Sequence, residues 1–395
     1  MPNLPLFLAL ALSLAGANAL SAPFTPKSDS EVVERLPSTA SDPSVRRVES
    51  LRKQLAARPN DNDLRLEIAS RYFDLAMAQG DPRYVGYASA TIAPLEKSAP
   101  ANAKYWLVRG QVQQYSHDFK GALQSLTRAS ELDPQSPDPI SWRAAIHMVQ
   151  AQYAEALGEC TRLVSLTNPL HAQGCVAYVQ ASTGQLQPAY DALAKEFAAA
   201  GSMAPEFALW LRTRLAEMAI RLQKFDEAEE HFKEALKLGV TDQFLLGAYA
   251  DFLLLRKRPA EVMALLADWE RSDILLLRLA LAGKAANDPR AAGWAAQLRD
   301  RFNAAAQRGD RLHEQEAARF ELDIEGNAKK AVDLATRNYS DQKEPRDAEI
   351  LMRAAIAAKQ PRAAVPAVDW FRTNKYEDPQ IAALAALLTT PGAKQ

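Results

Sequence analysis

The sequence has little of what chemistry usually needs. Two cysteines cannot make a disulfide-dense scaffold or a four-cysteine zinc site. Glycine is scarce, 16 in 395 residues, which disfavours turn-rich β architectures and phosphate-cradling loops. No block of like charge stands out: 47 Lys and Arg face 48 Asp and Glu, for a net charge of -1. Such a chain is not built to live on nucleic-acid phosphates, nor is it an acidic disordered tail. The motifs G-x-x-x-x-G-K-[ST], G-x-S-x-G and H-E-x-x-H do not occur. Composition leaves a mostly helical globular chain, 48% apolar and 24% charged.

The leading segment reads as an address. Leu4 to Ala17 is almost wholly apolar but broken by Pro5, Ser13 and Gly16. It falls short of the roughly 20 residues of a membrane span. Ala17-Asn18-Ala19 fits the small-x-small cleavage pattern, and Leu20-Ser21-Ala22 is a weaker second site. No Lys or Arg precedes the apolar run, a departure from the usual export signal. The expectation is a cleavable signal over 1–19, an exported or periplasmic protein, and no stable membrane span after cleavage; an uncleaved anchor is the competing reading. Residues 20–44, rich in Pro, Ser, Asp and Thr, read as a flexible linker.

The five histidines do not converge on a reaction. His117 is expected in a solvated turn, His147 inside a helix, and His231 on a charged surface among Glu229, Glu230 and Lys233. Paired carboxylates such as Asp226/Glu227 beside Lys224 read as surface lacing along a helix. No catalytic residue, metal site or cofactor is expected.

Internal repetition is the strong signal. Within 103–136, Trp106, Gly110, Phe119, Ala122, Leu126, Ala129 and Pro134 alternate large and small apolar residues and end on a helix breaker. Small residues at Gly110 and Ala122 suit two antiparallel helices that cross closely, and Pro134 ends the second. The pattern returns in Ala144, Tyr153, Ala156 and Asn168-Pro169, again in Ala177, Gly184, Leu186 and Ala189, and again in Ala216, Phe225, Ala228, Phe232 and Ala235. Ala250, Pro259, Val262 and Leu266 continue it, with weaker copies near Asp288, Gly326 and Leu351. An early copy at 62–98 is distorted, with a longer connection expected from Gly80-Asp81-Pro82.

On these residues the chain resembles the tetratricopeptide repeat (TPR) superfamily over about 45–388, and more narrowly exported bacterial proteins of that kind. Arg109 and Gln113 depart from the motif, standing where Leu and Tyr are usual, and 270–310 is degenerate. The resemblance implies an all-α solenoid of helical hairpins wound as a right-handed superhelix. Helix pairs should break near Pro134, Asn168, Gly239, Asp288 and Gly326. A helix from Pro379 to about Leu388 should cap the last repeat, with 389–395 as a tail.

In such solenoids the first helix of each hairpin lines a concave face. Carried over by position, that face holds Gln111, Tyr115, Tyr178, Trp210, Glu217, Arg221 and Asp251. Aromatic and Arg anchors there suit a protein or peptide partner. Leu107 and Gln111 occupy positions where a carboxylate-gripping cluster would start, so that subtype is not expected. The functional expectation is a non-catalytic scaffold or adaptor of the cell envelope. The alternative is a regulatory subunit, or an enzyme with an unrecognised site in 270–345. Cys160 and Cys175 are equidistant from the Thr167-Asn168-Pro169 turn, which places them opposite each other on adjacent antiparallel helices. In an oxidising compartment that reads as a disulfide. Free buried thiols are the alternative, and with His171 they lack a standard zinc spacing.

Overall fold

The computed structural model describes residues 42–389. All regular structure among them is helical. The expected signal, most of the linker and residues 390–395 lie outside the described residues. The chain divides into two units, 1–46 and 47–395, and α1 (Pro43–Ala57) begins in the first, two residues before the expected start of the solenoid. The hairpins belong to the second unit.

The helices pair in chain order as antiparallel hairpins. α2 (Asn62–Gln79) packs on α3 (Arg83–Ile92), which is followed by a single turn, α4 (Leu95–Ser98). α5 (Ala103–Tyr115) pairs with α6 (Phe119–Leu132), α7 (Asp138–Val149) with α8 (Tyr153–Leu163), and α9 (Pro169–Ala181) with α10 (Leu186–Ala199). Next come α11 (Pro205–Arg221) with α12 (Phe225–Leu236), α13 (Gln243–Leu255) with α14 (Pro259–Leu265), and α15 (Asp273–Ala286) with α16 (Ala291–Gln307). α17 (Glu314–Asp323) pairs with α18 (Ala328–Asp341); α19 (Pro345–Ala357) meets a 3-10 turn (Pro361–Ala364), α20 (Val365–Thr373) and the capping helix α21 (Pro379–Thr389). Each first helix also touches the first helix of the next hairpin through most of the array, which makes the unit a solenoid.

Local chemistry explains the boundaries. Side chains of Asn102, Asp118, Asn168, Asp242, Ser272 and Asn327 accept backbone N–H groups at helix starts. Within hairpins the first helix ends in a Schellman turn: Asp118 N–H donates to Gln113 O, Gln152 to His147 O, Lys224 to Ala219 O and Arg258 to Leu253 O. The left-handed residues in these four turns are His117, Ala151, Gln223 and Lys257, with φ of 61°, 55°, 60° and 57°, so glycine does not mark them. The 62–98 copy is tighter than expected: Gly80, at φ 67°, caps α2, and Asp81 accepts the Arg83 N–H to start α3.

Small residues sit where helices cross. A Cβ on Gly110 would stand 2.7 Å from Leu126 Cγ. Ala122, Leu126 and Phe119 are buried around that crossing. Further along, Phe232, Tyr249 and Phe252 cluster with ring centroids 5.1 to 6.2 Å apart. Burying aromatic area of this kind is the main stabilising term of a hairpin array.

The chain then returns on itself. Val179 and the buried Ala144, Tyr153, Ala156 and Cys160 of α7–α9 share one core with Leu351, Val368, Trp370, Tyr376 and Ile381 of α19–α21. Lys343 N–H donates to Val149 O at 2.7 Å and Trp370 Nε1 to Tyr153 Oη at 3.0 Å. Gly80 of the first hairpin abuts Gln243 and Ser272 at the starts of α13 and α15. The closing hairpins therefore dock on the turns of the leading ones. Cys160 and Cys175 are disulfide-bonded inside this shared region, with Cα atoms 5.4 Å apart. His117 is not solvated as expected; it stacks on Phe119 and meets Gln342 at 3.1 Å, and burial lowers its pKa. His231 is likewise half-buried, and burial followed by Arg212 pulls its pKa down.

Candidate functional site

Polar contacts link successive first helices into one strip. On α9 and α11, the Arg214 guanidinium lies over the Tyr178 ring at 4.6 Å and pairs with Glu217 at 2.8 Å. On α13, Asp251 accepts from Arg278 of α15 at 2.6 Å and from Arg319 of α17 at 2.8 Å, tying three hairpins together. Burial opposes the Asp251 charge, but Arg278 and Arg319 hold its carboxyl below the usual range. Glu316 on α17 is held down to about 2 against its burial, first by His313 and then by Arg346 and Arg278. Water reaches the strip, since the side chains of Glu217 and Asp251 are each 35% exposed.

At Arg221 the strip is occupied. Residues 374–378, between α20 and α21, lie across the ends of α9 and α11 and the start of α10. Arg221 Nε donates to Glu377 O at 2.9 Å, and its guanidinium covers the Tyr376 ring at 3.9 Å while also donating to Ala181 O. The Glu377 carboxylate accepts the Leu186 N–H at 2.6 Å. Gly184, at φ 83°, leaves room for Lys375: a Cβ there would stand 3.0 Å from Lys375 Cβ. Tyr376 is buried beside Trp370, ring centroids 4.8 Å apart.

The residues expected on one concave strip thus fall into three groups. Tyr178, Glu217, Arg221 and Asp251 take part in the ring and ion-pair contacts of the first helices, with Arg221 engaged by the chain's own loop. Tyr115 lines a cleft of about 520 Å³ between α3, α5, residues 310–314 and the end of α18. Burial, then Asp81, Glu316 and Asp273, raise its phenol to about 12. Gln111 stands one turn earlier on α5, half-buried. Trp210 is a packing residue: it fills the space over Gly174, stacks on Phe207 at 6.0 Å and meets His171 edge-on at 5.9 Å.

Sequence reasoning missed Arg214, Arg278, Arg319, Tyr376 and Glu377. Arg214 stands three residues before Glu217, a helical pairing the sequence does display. Nothing periodic points to Tyr376 and Glu377; the partners of Glu377 are 156 and 191 residues away. The 270–345 stretch, where an enzyme site was the alternative, forms α15–α18, and its Arg278, Glu314 and Arg319 are engaged in ion pairs.

No protein-family model matches the chain, and no curated protein matches it in sequence. Solved structures similar to it include the APC/C hetero-tetramer Cut9–Hcn1, at 12% identity over 88% of this chain and 53% of that one, TM-score 0.41. This chain thus spans about half the length of that relative. A tetratricopeptide repeat protein from Parabacteroides merdae is similar at 14% identity, over 73% of this chain and 98% of that one, TM-score 0.32. Yeast Tom70 is similar at 14% identity, over 86% and 84%, TM-score 0.39. At these scores the likeness adds nothing about the strip, and the solenoid stands on this chain's own helices and contacts.

Proposed function

We propose that the protein is a non-catalytic, tetratricopeptide-type scaffold of the bacterial cell envelope that binds a partner polypeptide on its inner strip. One observation carries this reading: the strip around Arg221 already holds a polypeptide, the chain's own 374–378 loop. The grip uses a main-chain carbonyl, an aromatic ring and a carboxylate, which any suitable peptide supplies. Tyr178, Arg214, Glu217 and Asp251 extend the same surface along the first helices. Charged and aromatic groups in a wetted groove favour selective capture of an extended or helical segment. The envelope assignment draws on the apolar leader with its Ala17-Asn18-Ala19 site and on the bonded Cys160–Cys175 pair, which an oxidising compartment preserves.

A photo-crosslinking residue in place of Glu217 tests the binding surface. In envelope extract it should yield a discrete polypeptide adduct, and Arg214→Ala should cut the yield about fivefold, the effect of losing roughly 1 kcal/mol. Adducts of equal yield with and without Arg214 would remove the strip from consideration. Cell fractionation with an epitope tag tests the location: a protein confined to the cytoplasm sinks the envelope assignment.

A further inference from the structure

We infer that the partner segment of the inner strip carries a tyrosine followed directly by a glutamate, and that it enters by displacing the chain's own Tyr376 and Glu377. This rests on the scaffold reading and names its ligand. The first determinant is the start of α10. Its N-cap residue, Gln185, makes no side-chain bond to the helix. The N–H of the first helical residue, Leu186, donates to the Glu377 carboxylate, 191 residues away. A helix N-terminus without its own cap favours an anion, and a carboxylate is seen bound there.

Arg221 supplies the second determinant. It is 9% exposed, and its donors go to two carbonyls, Ala181 O and Glu377 O, rather than to a carboxylate. The planar face left over is covered by Tyr376. The site therefore reads ring, carbonyl and carboxylate in the order that consecutive Tyr and Glu residues present them. None of these contacts needs the loop's covalent link to the solenoid. Gly184 leaves space for the residue before the tyrosine, where Lys375 now lies.

The test uses a fluorescent peptide with the sequence of residues 373–379 and the full chain. The Tyr376→Ala/Glu377→Ala variant, with its loop unable to compete, should bind the peptide at least about tenfold more tightly than the wild type. Adding Arg221→Ala to the variant should abolish binding, as should replacing Tyr or Glu in the peptide. A helical variant that binds no better than wild type, or that ignores those peptide changes, overturns the proposal. Should the variant fail to fold, hydrogen exchange on the wild type decides: excess peptide should expose the amides of α21 and 374–378, and unchanged protection refutes displacement. A dimer with exchanged 374–389 segments, seen by light scattering and lost in Arg221→Ala, would make a second copy the occupant and overturn the peptide assignment. If the peptide fails while Glu217 crosslinking still depends on Arg214, only the ligand identity falls; if both fail, the scaffold reading falls too.

Discussion

The crossing of α5 with α6 and the docking of α20–α21 onto α8–α11 are built from different materials. In the hairpin, a glycine and an alanine let two helices approach, and the contact closes within 34 residues of chain. In the docking contact, Trp370, Tyr376 and Glu377 reach partners 155 to 217 residues away, through one arginine laid over a ring and three hydrogen bonds. Shape complementarity repeated at a fixed period makes the solenoid; single long-range anchors fold it back on itself. Loop-closure entropy grows only slowly with separation, so distant anchors are affordable once the hairpins exist.

The comparison breaks most sharply at two aromatic residues. Phe232→Ala, inside a leading hairpin, and Trp370→Ala, in the docking contact, should each cost about 3 to 5 kcal/mol in denaturant melts. Their local signatures should differ. Trp370→Ala should expose the Leu186 amide to hydrogen exchange, because Glu377 loses its seat, whereas Phe232→Ala should leave that amide protected under native conditions. Equal exposure in both variants would mean that docking and hairpin packing form one cooperative unit.

Next in size is the Cys160–Cys175 bond, which joins α8 to α9 beneath the docked segment. It closes a loop of 15 residues, worth about 3 kcal/mol in the chain-entropy model. Cys160→Ser/Cys175→Ser should lower stability by up to that amount. Thiol counting under denaturing, non-reducing conditions should find no reactive thiol, and two would refute the bond.

These contrasts explain what was legible. Gly110, Ala122, Ala156 and Ala228 announce helix crossings because an array repeats its tight spots at a fixed interval. Cys160 and Cys175 were legible for a related reason: symmetry about Asn168 is a local property of an antiparallel pair. Trp210 packs over Gly174 of the neighbouring first helix, a contact that the repeat register alone does not display, because a groove-lining position and an interhelix position differ by a small rotation. The strip's network was half legible: Glu217 and Asp251 were found, but Arg278 and Arg319 arise in degenerate repeats where the register is lost. Self-occupation of the strip was not legible at all, since Tyr376 and Glu377 belong to no repeat position.

A smaller effect separates the ionic strip from the apolar hairpins by pH. Burial alone would lower the pKa of His313, but Glu316, and then Asp273 and Asp310, raise it above its ordinary 6.5. The folded state therefore prefers the protonated ring. Its contribution is fully present below about pH 6.5 and is lost as pH rises through the folded pKa. Relative to His313→Gln, the wild type should be more stable below about pH 6.5 and lose that advantage as pH rises through the folded pKa. A difference independent of pH would show that the ring is held neutral.

The smallest expected effect tests the turns that both halves of the comparison share. Lys257 sits at φ 57° between α13 and α14, exposed, with Arg258 N–H bonded to Leu253 O behind it. A left-handed conformation costs an L-residue roughly 1 to 2 kcal/mol, a cost glycine does not bear. Glycine loses more chain entropy on folding, which offsets part of the gain. Lys257→Gly should therefore stabilise the protein by about 0.5 to 1 kcal/mol, read as a higher denaturant midpoint at unchanged slope. His117→Gly, at the equivalent turn under the closing hairpins, should gain less or lose stability, because it also removes the Phe119 stack and the Gln342 contact. If the two glycines act alike, the turn conformation alone sets the balance, and the docking contact at His117 contributes nothing.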